Sequence, residues 1–125
     1  MSAGFRQGAG FFLKGSKQMT YSLWVDDQAD ELPARKVPEG WVGAKSSSEA
    51  IAIVQEKGPP EWMDLDHDLG GSDTVLVFLR WLRENHFNDI PRGCRVHSQN
   101  PIGADAIRHF MHDWKREIEF QQKEF

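Results

Sequence analysis

Cysteine is almost absent: Cys94 is the only one in 125 residues. One thiol cannot close an intramolecular disulfide, and no Cys/Cys pair stands at zinc spacing, so a secreted disulfide scaffold and a Cys-type zinc module are excluded. A reducing, cytoplasmic setting is expected. Long apolar runs are missing as well; charges interrupt every stretch well short of the roughly 20 residues of a membrane span, so no membrane partner is expected. Nor is positive charge in excess. Fifteen Lys and Arg against nineteen Asp and Glu leave a net charge of -4, which argues against duplex DNA or anionic lipid as a partner but leaves room for a small phosphate site.

Against these absences, 39% hydrophobic residues and five Trp are enough for one core at this length. Residues 1–18 hold four of the eleven glycines and no acid, and they are expected to be a leader or appendage outside the fold. The folded unit is expected over residues 19–125. From Tyr21 onward, short apolar runs ending in acids or His alternate with longer stretches of helical period, the pattern of βα units and a parallel sheet.

Strands are predicted at Tyr21–Val25, Trp41–Ala44, Trp62–Leu65 and Cys94–Val96. The polar stretch between the first two carries Pro33 and Pro38 and has room for one short helical turn. Ser46 and Glu49 form the S-x-x-E of a capping box for a helix reaching about Lys57, ended by Gly58 and two prolines. Ser72 or Asp73 is predicted to cap a second helix from Thr74 to about Asn85. Asn100 before Pro101 reads as the N-cap and N1 of a last helix reaching about Phe120. That helix carries Ile107, Met111, Trp114 and Ile118 on one face, which either the core or a homodimer partner can take.

Three predicted strands end in polar groups: Asp26 and Asp27, then Asp66, His67 and Asp68, then His97, Ser98 and Asn100. In an open α/β sheet such ends share one edge, with a crevice where the direction of winding reverses, here between the first and third strands. Carboxylates gathered there repel one another unless a hard cation offsets them. Asp26, Asp27, Asp66 and Asp68 are therefore candidate ligands for Mg2+ or Mn2+. Gly70, Gly71, Ser98 and Asn100 are candidate phosphate contacts, the two turns being expected to present helix N-terminal N–H groups to an anion. Asp66, His67 and His97 are the candidate catalytic groups, with imidazole able to move protons.

Other features read as structural. An EF-hand is excluded because Leu69 stands where Gly is needed and Val75 where Glu is needed. Asp64, inside its strand, is expected at a solvent-facing edge. Cys94 reads as core, and His109 and His112 as surface or boundary residues of the last helix. Most of the tryptophans read as core; Trp41, beside Gly40 at a strand start, is the one placed to meet a ligand.

The order of these pieces resembles a response-regulator receiver domain over about Tyr21–Asn100. LWVDD is similar to its first strand and acidic pair, EWMDLDHDLGG to the strand with the phospho-accepting aspartate, and CRVHSQN to the strand ending in Ser or Thr. The resemblance implies a flavodoxin-like three-layer α/β sandwich with a parallel sheet of about four strands in the order 2-1-3-4. It implies a cation on Asp26 and Asp27, with Asp66 as the acceptor-like aspartate and Ser98 as the switch hydroxyl. After Asn100 only one long helix remains, so the receiver's fifth strand and its phosphate-pairing lysine have no place. The L-D-H-D-L-G of Leu65–Gly70 and the H-S-x-N-P of His97–Pro101 resemble instead the divergent cyclic-phosphate processing receiver domains. That likeness implies metal-dependent phosphoesterase-like chemistry on a cyclic phosphate, carried by a nucleotide, another small molecule or an RNA end. The alternative is a phosphate-sensing or phospho-accepting module without turnover.

Overall fold

A computed structural model describes residues 20–123 of the chain. The expected appendage over residues 1–18 lies outside them. Among the described residues, four parallel strands form one sheet: β1 (Ser22–Val25), β2 (Trp41–Ala44), β3 (Trp62–Leu65) and β4 (Gly93–Val96), in the order β2-β1-β3-β4. Three helices follow the last three strands, α1 (Ser47–Lys57), α2 (Val75–Asn85) and α3 (Pro101–Lys123), and a 3-10 turn over Pro33–Arg35 lies between β1 and β2. The expected order 2-1-3-4 and the four-stranded, flavodoxin-like α/β fold are thus found.

Alternation along the strands sorts the side chains onto two faces. Leu23, Val25, Ala44, Met63 and Leu65 are all fully buried and cluster with Ala50 and Val54 of α1, Phe78, Leu79 and Leu82 of α2, and Ile107 and Trp114 of α3. All three helices therefore place their apolar stripes against the same face of the sheet. Trp114, the largest fully buried side chain, also satisfies its indole N–H, which donates to the Phe87 carbonyl at 2.9 Å. The opposite face carries Trp24, Trp41, Trp62, Asp64 and Arg95. Among the described residues, Val37, from the segment after the 3-10 turn, lies directly on Gly43 of this face, and the Trp62 ring lies on Gly93.

The helix ends follow from local chemistry, with one exchange of partners. Ser46 caps α1 by accepting from the Glu49 N–H, as its motif predicts, and Gly58 ends the helix at a φ of 87°. Thr74, not Ser72 or Asp73, is the N-cap of α2, and its side chain makes no capping bond. Asp73 instead accepts from the Ser47 N–H at 2.9 Å, and Ser47 Oγ donates to the Thr74 carbonyl at 2.8 Å. The expected cap of α2 thus serves the start of α1, because the two helix N-termini are neighbours. Asn100 caps α3 as predicted, accepting from the Gly103 N–H at 3.0 Å.

Candidate functional site

Register alone brings three of the candidate residues together. Val25, Leu65 and Val96 are the last residues of β1, β3 and β4; Val25 pairs with Leu65, and Leu65 with Val96. Asp26, Asp66 and His97 follow them directly, and each prolongs the ladder by one bond: Asp26 N–H to the Ala44 carbonyl, Asp66 N–H to Val25, His97 N–H to Leu65. The valine and leucine side chains point into the core, so the three polar side chains point to the other face, one strand spacing, about 4.8 Å, apart. One ligand atom from each of Asp26, Asp66 and His97 lies within 4.8 Å of the other two. This is the only such cluster of three metal-capable side chains among the described residues. His109 and His112 do not form a second.

Asp26 is fully buried, and its carboxylate is fully engaged. It accepts from the Gln28 N–H at 2.8 Å, from Arg35 Nη1 at 2.9 and 2.7 Å, and meets His97 Nε2 at 3.1 Å. Arg35 Nη1 also reaches Asp66 Oδ2 at 3.5 Å. Burial raises the pKa of Asp66, and the Asp26 charge raises it further; His97, Arg35 and the Ser98 hydroxyl only partly oppose this. An ionised Asp66 is therefore held at a cost that a closer cation would relieve.

One row below, Trp24, Asp64 and Arg95 share the same face. Asp64 is buried, not at a solvent-facing edge as expected: Arg95 Nη2 pairs with it at 3.0 Å, and its Oδ1 lies 2.6 Å from His97 Nδ1. The His97 ring stacks on Trp24 with centroids 4.4 Å apart. Burial disfavours the charge on His97, yet the hydrogen bonds and charges of Asp64 and Asp26 together outweigh it and raise its pKa. With Nδ1–H donating to Asp64, the proton on the cluster side is carried by Nε2.

Asp66 is the member of the cluster that borders the adjoining cleft of about 570 Å³, which is lined also by Asp27, Gln28, Arg35, Asp68, Gly70–Gly71 and Ser98–Asn100 but not by Asp26 or His97. Asp27 and Asp68 thus face the cleft but stand outside the three-ligand cluster. Asp68 is exposed and is tied to His67 Nδ1 at 2.9 Å and to Asn100 Nδ2 at 3.2 Å, which together hold its pKa below the usual carboxylate range. His67 lies on the helix side of the sheet, as alternation from Asp66 requires, with its ring against Gly103 of α3. Asn100 spends its amide oxygen on the helix cap and its amide nitrogen on Asp68. Gly70 and Gly71, at φ of 93° and 57°, form a turn ahead of α2 and not its N-terminus, so any anion would meet this turn's backbone rather than the helix end.

Two residues of the site were not anticipated. Asp64 was legible from the same alternation that buries Met63 and Leu65. Arg35 lies in an aperiodic polar loop, and only the need of buried carboxylates for a partner cation points to it. Trp41 packs edge-on against Trp24 and beneath Arg95, and borders a separate open hollow of about 720 Å³ along β2 that holds none of the cluster. Cys94 is partly buried against the core, its thiol pushed up to about 12 by burial, which makes it unreactive.

A family model described as the cyclic-phosphate processing receiver domain matches residues 21–113, which include every residue of the cluster and the cleft. No curated protein matches the chain, and no solved structure does.

Proposed function

Because the chain belongs to the cyclic-phosphate processing receiver domains, we propose that it opens a cyclic phosphate ester in the cleft at the carboxyl end of its sheet. The observation that carries this reading is the convergence of Asp26, Asp66 and His97 within 4.8 Å beside an open polar cleft. Two adjacent carboxylates suit a hard divalent ion that prefers oxygen ligands, Mg2+ or Mn2+. Asp26 and Asp66 would hold the cation, which when bound polarises the phosphoryl group.

The remaining steps belong to the chain's own groups. The Gly70–Gly71 backbone and the Ser98 hydroxyl line the cleft where phosphate oxygens would sit. In ring opening a water would attack phosphorus as the bond to the ester oxygen breaks; with Asp64 accepting from Nδ1, His97 Nε2 would give its proton to the departing oxygen, and the water's proton would pass to solvent. Proton transfer is assigned to His97 rather than His67, whose ring is turned to Asp68 and Gly103.

The test is incubation of the full chain with Mg2+ or Mn2+ and a panel of cyclic nucleotides and RNA ending in a cyclic phosphate, followed by phosphorus NMR. Ring opening by the wild type is expected, with a loss of roughly 100-fold or more in Asp66→Asn, as for a residue that holds an essential electrophile. Full activity in Asp66→Asn overturns the assignment. Stable phosphorylation of Asp66 by an acyl phosphate, without any ring opening, favours the signalling alternative.

A further inference from the structure

Arg35 has no part in the chemistry just described, yet its guanidinium touches both carboxylates of the cluster. All three of those contacts run through Nη1, two to Asp26 and one to Asp66, the last being the longest at 3.5 Å. The rest of the fork is not used there, and Arg35 borders the cleft together with Gly70 and Ser98. Its position is built into the fold. Asp30 adopts a φ of 66°, unusual for a residue other than glycine; its N–H donates to the Arg35 carbonyl at 3.0 Å, and its carboxylate accepts from the Val37 N–H at 2.9 Å. The short loop is thus closed on both sides of Arg35.

Charge makes this placement consequential. Asp27, Asp66 and Asp68 face the cleft, and among the described residues Arg35 is the one Lys or Arg that borders it. An anion entering among carboxylates needs a cation, and a planar guanidinium binds a phosphate through two parallel bonds where an ammonium offers a point charge. Resting on the reading of this cleft as a phosphate site, we propose that Arg35 is its phosphate-recognising residue and that, by leaving Asp26 and Asp66 for the phosphate, it frees that pair for a divalent cation, so that phosphate and cation bind cooperatively. Arg35 then acts as a tethered counter-ion in the resting site and as a ligand clamp in the loaded one.

The experiment uses the full chain, inorganic phosphate and Mn2+, with phosphate binding followed by calorimetry and Mn2+ binding by electron paramagnetic resonance. In the wild type each ligand is expected to tighten the other by about fivefold or more, the lower end of ordinary coupling. Arg35→Gln should weaken phosphate at least tenfold, bind Mn2+ more tightly than the wild type when phosphate is absent, and lose the coupling. Arg35→Lys keeps a charge beside Asp26 and guards against a folding defect; it too should lose phosphate affinity. Wild-type phosphate affinity in both variants, or coupling that survives in Arg35→Gln, overturns the proposal. If the wild type itself binds no phosphate, the phosphate-site reading fails and takes the proposal with it; if wild type and both variants bind phosphate equally, only the role of Arg35 fails.

Discussion

His97 is held from three sides: Asp64 on Nδ1, Asp26 on Nε2 and the Trp24 ring on its face. Since these carboxylates raise its pKa in spite of burial, the folded state binds a proton that the unfolded chain releases near pH 6.5. The stability from this proton is complete below about pH 6.5 and is lost as pH rises through the folded-state value. Asp66, also raised, acts in the same direction from a lower starting point. The melting temperature of the chain in a chelating buffer is therefore expected to fall as pH rises from about 6 into the alkaline range. Asp64→Asn should lower the His97 titration seen by NMR and move that fall to lower pH. A wild-type His97 titrating at or below the ordinary value contradicts this account. Sequence reading reached Asp26, Asp66 and His97 because each follows an apolar run directly. It passed over Asp64 by treating it as an edge residue, although its alternation with Met63 and Leu65 turns it to the same face as Trp24. Arg35 was beyond reach, since its bond to Asp66 joins residues 31 positions apart through a loop without periodicity.

Among the elements, α3 shows how a helix end and the cleft share parts. Asn100 caps the helix with its oxygen and restrains Asp68 with its nitrogen. Asn100→Ala is expected to cost about 1 kcal/mol in chemical denaturation, the usual worth of a cap, and to raise the Asp68 pKa by removing a hydrogen bond; unchanged stability would contradict the assignment. Gly103 presents a contest of magnitudes. Alanine gains up to about 1 kcal/mol of helix propensity, but a Cβ there would stand 2.4 Å from a ring carbon of His67 and 2.9 Å from its Cβ. Overpacking of this kind costs about 1–3 kcal/mol, so Gly103→Ala should destabilise on balance, as read by urea denaturation, and displace His67 from Asp68. A stabilised variant would show that the His67 ring is free to leave. Most caps and breakers were legible, from Ser46, Gly58 and Asn100. Asp73 was misread because its partner is the Ser47 N–H of another helix, and single-chain capping rules see only the helix that follows.

For the molecule as a whole, the parallel sheet buries one face under three helices and keeps its polar chemistry on the other, at the rim where the winding reverses. That division was legible from strand order and polar strand ends; the packing of Val37, from the segment after β1, on Gly43 of the second face was not, because that segment has no repeating pattern. No helix among the described residues is long and apolar enough to cross a membrane. A cation bound only by the folded chain stabilises it by mass action, about 2.7 kcal/mol at a hundred times the dissociation constant. Mn2+ is accordingly expected to raise the melting temperature of the wild type and to leave Asp66→Asn nearly unmoved; equal shifts in both would place the ion elsewhere. The central claim, that carboxylates at the ends of two separate strands gather one cation at a single rim beside His97, is tested most directly by an anomalous-difference map from crystals of the chain soaked with Mn2+ and phosphate. The account predicts one peak within bonding distance of Asp26 and Asp66, with His97 beside it; a peak confined to Asp27 or Asp68, or none under conditions where the protein is shown to bind Mn2+, would contradict it.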